Sequence, residues 1–170
     1  MERPISEQLD RFFDEKMRNY PIRRSFLVPM LLYTQDELGY LTGDAIHYIA
    51  EKVGLSELEV RNVVSYYSML TTQPRGRFNV QVCTNISCML RGAEEVYDHC
   101  RQKLGIAHKG TTPDGLFSLE EVECIGACSW APAMQVNYDF HEKLTAEKVN
   151  GILAGYARKV KQSGLVICDL

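Results

Sequence analysis

No apolar run in this sequence approaches the ~20 residues of a membrane-spanning helix. Its start, MERPISEQLDRF, lacks a basic segment followed by an apolar one, so it is read without a secretory signal. A basic excess is also missing. The 19 Lys and Arg stand against 22 Asp and Glu, a net charge of −3, which argues against nucleic-acid and anionic-membrane binding. There is no G-x-G-x-x-G after a strand and no Walker A loop, so the chain has no nucleotide cradle of its own. Repeats and low-complexity tracts are absent. The four histidines, His47, His99, His108 and His141, are scattered and read as surface or capping residues rather than a catalytic set. These absences place the chain in the cytoplasm or another reducing compartment. Structural disulfides are rare there, so clustered cysteines point to metal or redox chemistry.

What is present divides into two patterns, giving an α+β chain with domains expected over residues 1–75 and 76–170. Up to about residue 73 the apolar residues recur at helical spacing. Ser6 is placed to cap a helix carrying Leu9, Phe12, Phe13 and Met17. A second helix is expected from near Ser25, with Pro29 in its first turn and Gly39 at its end. Thr42 opens a third, with Ile46, Ile49, Ala50 and Val53, and Gly54 behind it. Ser56 and Glu59 form a capping box for a fourth. Pro74 and Gly76 mark a connector. Beyond it, strands are predicted over Phe78–Val82, Phe117–Cys124 and Ala133–Tyr138. One helix is predicted from Cys88 to about Leu104, and another after Thr145 with Val149, Ile152, Leu153, Tyr156 and Val160.

The chemistry lies in VCTNISCMLRG and VECIGACSWAP, which hold Cys83-x4-Cys88 and Cys124-x3-Cys128. Neither has the C-x2-C spacing of a thioredoxin dithiol or a zinc knuckle. Cys83 and Cys124 each end a predicted strand. Cys88, at a helix start, is expected to ionise readily. Gly126 lets the second loop turn back, so that two thiol pairs can face one object. Four thiolates suit zinc or an iron–sulfur cluster. The wide loops favour a two-iron rhomb, with two thiolates for each iron, although C-x4-C occurs among zinc sites as well. No histidine lies in either motif, which excludes a Rieske centre. Cys100 falls on an apolar stripe, roughly 18 Å along a continuous helix from Cys88, and reads as core. Cys168, in the strand-like LVICDL, reads as a partly buried free thiol. Trp130 is placed to shield the cysteines, to face a partner or simply to pack. Asp36, Glu37, Glu120, Glu121 and Glu123 read as solvated faces.

The C-x4-C, ECIGAC, AP and VN segments, with LGYLTGDAIHYIAEKVGL, VVSYYSM and TTPDGLFSLEEVECIGAC, resemble the thioredoxin-like [2Fe–2S] subunit of respiratory NADH–quinone oxidoreductase. This is the subunit called the 24 kDa protein in mitochondria. The resemblance spans roughly residues 22 to 157 and covers both halves. It implies a helical bundle followed by a thioredoxin-like domain, with Cys83, Cys88, Cys124 and Cys128 as the iron ligands. It implies one cluster per chain, while FMN and NADH are bound by a partner, the NADH-oxidising subunit, with the large iron–sulfur subunit as a further neighbour. The assembly would sit on the cytoplasmic side of the inner membrane, with this subunit peripheral and not inserted. In the family the cluster exchanges one electron with the flavin beside the main relay. All-cysteine ligation implies a low potential, on the order of −400 mV for plant-type centres. The chain departs from the commonest pattern at Thr84–Ser87, at Ser129-Trp130 and at His141, and none of these removes a ligand. The same module serves NAD-linked hydrogenases and formate dehydrogenases, a second reading within the family. A structural zinc module is the reading from a different class.

Overall fold

The computed structural model describes residues 4–163, with side chains to residue 160. The strand-like segment around Cys168 lies outside the described residues. The chain divides between Pro74 and Arg75 into two compact units.

The first unit is helical. Its helices are α1 (Glu7–Met17), α2 (Leu27–Leu38), α3 (Gly43–Val53) and α4 (Glu57–Tyr66), with a 3-10 turn over Arg23–Phe26 leading into α2. The caps stand where the sequence puts them. Ser6 accepts from the N–H of Leu9, Thr42 from that of Ala45, and Ser56 and Glu59 close a reciprocal capping box. Such caps satisfy N–H groups that the first helical turn leaves unpaired, at about 1 kcal/mol each. Pro29 is the third residue of α2, where its missing N–H costs no helical bond. The apolar stripes meet in one core, in which Phe13, Met30, Leu31, Ile46, Ile49 and Val60 are fully buried. Each such side chain contributes roughly 1.5–3 kcal/mol of transfer free energy. At the rim, Lys52 joins Asp10 and Asp14 across α1 and α3.

The second unit is built on a mixed sheet of order β2-β3-β1-β4-β5. Its strands are β1 (Phe78–Cys83), β2 (Gly110–Thr111), β3 (Phe117–Val122), β4 (Met134–Val136) and β5 (Asp139–His141). β1 and β3 run parallel, while the remaining pairs are antiparallel. Val80, Val82, Leu119, Met134 and Val136 form an apolar core with α6 (Ala93–Leu104) and α7 (Ala146–Ser163). The two-residue β2 and the three-residue β5 carry no periodicity long enough to read in the sequence. The predicted Ala133–Tyr138 strand is shorter, because Asn137 at φ +54° turns the chain back into β5.

Two further expectations are corrected. The helix predicted from Cys88 to Leu104 is broken. A short α5 (Ile86–Met89) ends before Gly92, whose φ of +86° redirects the chain into α6. Glu120 is not on a solvated face but is 5% exposed. Asn79 Nδ2 and Gln81 Nε2 donate to its Oε1 at 2.7 and 2.8 Å, and Arg75 stands 3.5 Å away. Three partners explain how the carboxylate is tolerated there.

Candidate functional site

The parallel register sets Cys83 opposite Val122, so the loops after β1 and β3 leave the sheet at the same edge. In the first loop the N–H of Cys83 donates to the carbonyl of Ala133 at 3.1 Å, and that of Thr84 to Val122 at 3.0 Å. Asn85 then caps α5. Its side-chain oxygen accepts the N–H of Ile86 at 2.8 Å, and its carbonyl accepts those of Cys88 and Met89 at 2.8 and 2.9 Å. This tight turn brings Cys88 back toward the sheet. Both Cys83 and Cys88 are buried, while Cys124 and Cys128 on the second loop are exposed.

The second loop turns at Gly126, where φ is +81° and the N–H donates to Cys124 Sγ at 3.4 Å. A side chain at that φ would add strain. Cys128 begins a 3-10 turn through Trp130. The turn is tied down by the N–H of Lys143 on Trp130 O at 2.7 Å and that of Leu144 on Pro132 O at 3.0 Å. The two loops share one buried cluster of small residues, Cys83, Cys88, Ala93, Ala127, Ala131 and Ala133, with Ile125 against it. The Cys83 thiol donates to Glu123 O at 3.4 Å, and Asn85 Nδ2 to Glu123 Oε2 at 3.3 Å.

Cys88 does not ionise readily as the sequence predicts. Burial, the neighbouring Cys83 thiol and, at longer range, Cys128 push its thiol up to about 11, against the pull of an N–H donated by Ala133. The helix behind the expectation is only four residues long, too short for much of a dipole, and desolvation outweighs it. All four predicted ligands lie on these two packed loops. Among the described residues, no three His, Cys, Asp or Glu side chains close into the compact set a single ion takes. The donor chemistry fits an iron–sulfur cluster. Two soft thiol pairs are offered, and backbone N–H groups of Gly126 and Ala133 address sulfur, as cluster ligands favour. Ile86, Met89, Leu90 and Trp130 rim the loops, each between 44 and 75% exposed.

Cys100 belongs to the apolar core of the sheet instead, where burial pushes its thiol up to about 12. The histidines stay out of the motifs. His47 bonds Glu57, His99 bonds Asn150, His108 faces Tyr97 and His141 faces Tyr156. Sequence reasoning missed the roles of Asn85 and Glu123, which join the two loops. The preference of Asn for helix caps was the one signal that marked Asn85.

The family profile of thioredoxin-like [2Fe-2S] ferredoxins matches residues 13–157. An NADH-quinone oxidoreductase subunit of Rhizobium meliloti is 42% identical over 137 residues, 81% of this chain and 82% of that protein. An NADH-quinone oxidoreductase subunit of Thermus thermophilus is 41% identical over 147 residues, 85% of this chain and 81% of that one. An NAD+-reducing [NiFe]-hydrogenase in its air-oxidised state superposes with a TM-score of 0.70 over 83% of this chain, at 16% identity. This chain spans 24% of that hydrogenase chain, and the likeness is one of fold. A profile that runs through both cysteine loops and through both units leaves one assignment: the chain belongs to the thioredoxin-like [2Fe–2S] ferredoxin family.

Proposed function

We propose that this chain is the [2Fe–2S] electron-transfer subunit of an NADH–quinone oxidoreductase. Cys83, Cys88, Cys124 and Cys128 hold the cluster, and its electron is exchanged with the FMN of the NADH-oxidising partner subunit. The observation that supports the reading is that the loops carrying the two cysteine pairs leave adjacent parallel strands at the same end of the sheet and pack through one alanine-walled cluster. It occurs in a chain 42 and 41% identical to two such oxidoreductase subunits over more than four-fifths of its length.

The bound cluster supplies a one-electron couple at low potential. The residues of this chain do the rest. Cys83 and Cys88, in their alanine-walled recess, keep water from one side. Cys124 and Cys128 are exposed, and the same two loops carry the exposed apolar side chains Ile86, Met89, Leu90 and Trp130. An apolar rim of this kind is stripped of water when a partner docks, so the redox groups approach through a dry contact. The chain makes and breaks no substrate bonds itself. Its labour divides near residues 75 and 76. The helical part grips the flavin subunit, the sheet part carries the cluster, and the large iron–sulfur subunit is a further neighbour. No helix among the described residues is long and apolar enough to cross a membrane. A peripheral place on the cytoplasmic side of the inner membrane is part of the proposal.

The test is EPR at low temperature on anaerobically purified protein, before and after dithionite, with iron and sulfide analysis. A silent oxidised sample that gains a spin-half signal, with about two irons and two sulfides per chain, is the expected result. A colourless protein with one zinc, silent even after reconstitution, would overturn it. Co-purification with an FMN subunit and a quinone-linked complex separates the respiratory assembly from a formate dehydrogenase module or from a hydrogenase module, the latter being like this chain in fold.

A further inference from the structure

We infer that Asn85 is a positioning residue, latching the two cysteine loops through Glu123 and holding the Glu123 carboxylate beside the cluster site, where its charge lowers the cluster's potential. The inference rests on the proposed cluster reading and deepens it.

Asn85 stands at the crossing of the site. Its side-chain oxygen fixes the start of α5, its carbonyl holds the N–H of Cys88, and its side-chain nitrogen reaches across to Glu123 Oε2 at 3.3 Å. Glu123 has the complementary position. Its carbonyl oxygen lies 3.4 Å from Cys83 Sγ, and it directly precedes Cys124 in the chain. One side-chain bond therefore links the buried thiol pair to the open pair. Glu123 is itself exposed. A free glutamate there would swing into water, and its field would be screened within a Debye length of about 8 Å. The bond to Asn85 keeps the charge at the loop instead. Reduction of the cluster adds a negative charge, and a fixed carboxylate nearby opposes that by Coulomb repulsion. The arrangement therefore makes the reduced form harder to reach without touching any ligand.

The test is an EPR-monitored redox titration of the cluster-loaded full chain. Glu123→Gln removes the charge and keeps the length. It should raise the midpoint so that the ratio of reduced to oxidised cluster at fixed potential rises threefold or more, about 28 mV at 59 mV per tenfold for one electron. Asn85→Ser keeps a capping oxygen for α5 but is too short to reach Glu123. It should move the potential the same way and change the anisotropy of the spin signal. The double variant should shift no further than Glu123→Gln alone, because the residues act as one unit. A Glu123→Gln midpoint unmoved within threefold overturns the inference, as does full additivity of the two changes. Should Asn85→Ser fail to hold a cluster, Glu123→Gln alone decides. If the unaltered chain gives no spin signal and no iron, the cluster reading fails and takes the inference with it; a normal signal with unmoved potentials sinks the inference alone.

Discussion

Replacing Gly76 by alanine tests the frame that brings the cysteine loops together. A Cβ at Gly76 would stand 2.3 Å from Phe117 C, 2.5 Å from Ser118 N and 2.7 Å from Phe117 O. These are backbone atoms of a paired strand and cannot rotate aside, so the connector must lift from β3. Two bonds that follow it are then strained, Arg77 N–H on Gly115 O at 3.0 Å and Phe78 N–H on Leu116 O at 2.9 Å. Losing both costs about 2 kcal/mol, and the overpacking itself at least about 1 kcal/mol. A loss of about 3 kcal/mol lowers a urea midpoint by about 1.5 M when the slope is about 2 kcal/mol per molar. Gly115→Ala is the control. Its Cβ meets nothing within 4 Å and is disfavoured only by a φ of +65°, worth about 1 kcal/mol. Urea unfolding followed by far-UV circular dichroism should rank Gly76→Ala well below Gly115→Ala, with a matching fall in iron content after reconstitution. Equal midpoints for the two variants would refute the steric argument.

Other outcomes follow from the same geometry. Cys88→Ser and Cys124→Ser should each lose most cluster iron, because a cluster needs its full thiolate set; wild-type iron in both would remove these residues from the ligand set. Cys100→Ala should leave the cluster spectrum unchanged and cost about 1 kcal/mol of stability, as deletion of one buried atom group does; a lost spectrum would contradict its place in the sheet core. His47 Nδ1 lies 2.7 Å from Glu57 of α4, and that bond above all raises the His47 pKa above 6.5 and holds Glu57 below 4.5. A raised folded pKa means stabilisation that is complete below 6.5 and is lost as pH rises through the folded value, while the Glu57 share is lost only in acid. The urea midpoint should therefore fall from about pH 6 to about pH 8, and His47→Gln should remove that part of the slope. An identical slope in the variant would refute the pairing.

The helical unit was legible because local chemistry decides it. Ser6, Thr42 and the Ser56–Glu59 box each satisfy a helix start within three residues, and no distant contact overrides them. The cysteine loops were legible as pairs for the same reason, since their spacing is written along the chain. What stayed hidden depends on contacts far apart in sequence. Glu120 looks like one more surface acid until Asn79 and Gln81 on β1 close around it. Cys88 looks activated by a helix start until burial against the partner loop reverses the effect. Gly92, just ahead of AEEVYDHC, gave no warning of its left-handed turn, because an isolated glycine is tolerated in a helix too. β5 pairs three residues with β4 and leaves no alternation to read.

The parallel pairing of β1 with β3 also governs when the thiols can meet. Phe78 pairs with Phe117 and Cys83 with Val122, partners 39 residues apart by subtraction of their numbers. A parallel pair cannot zip from a tight hairpin, and the loop between must close before any contact rewards it. On the ribosome, Cys83 and Cys88 therefore emerge as a lone pair, well before Cys124 and Cys128 exist. With the cluster held by these four thiols as proposed, iron supplied that early would find half a cradle. Loading would then wait until the sheet edge is finished and the second loop has come to rest against the first.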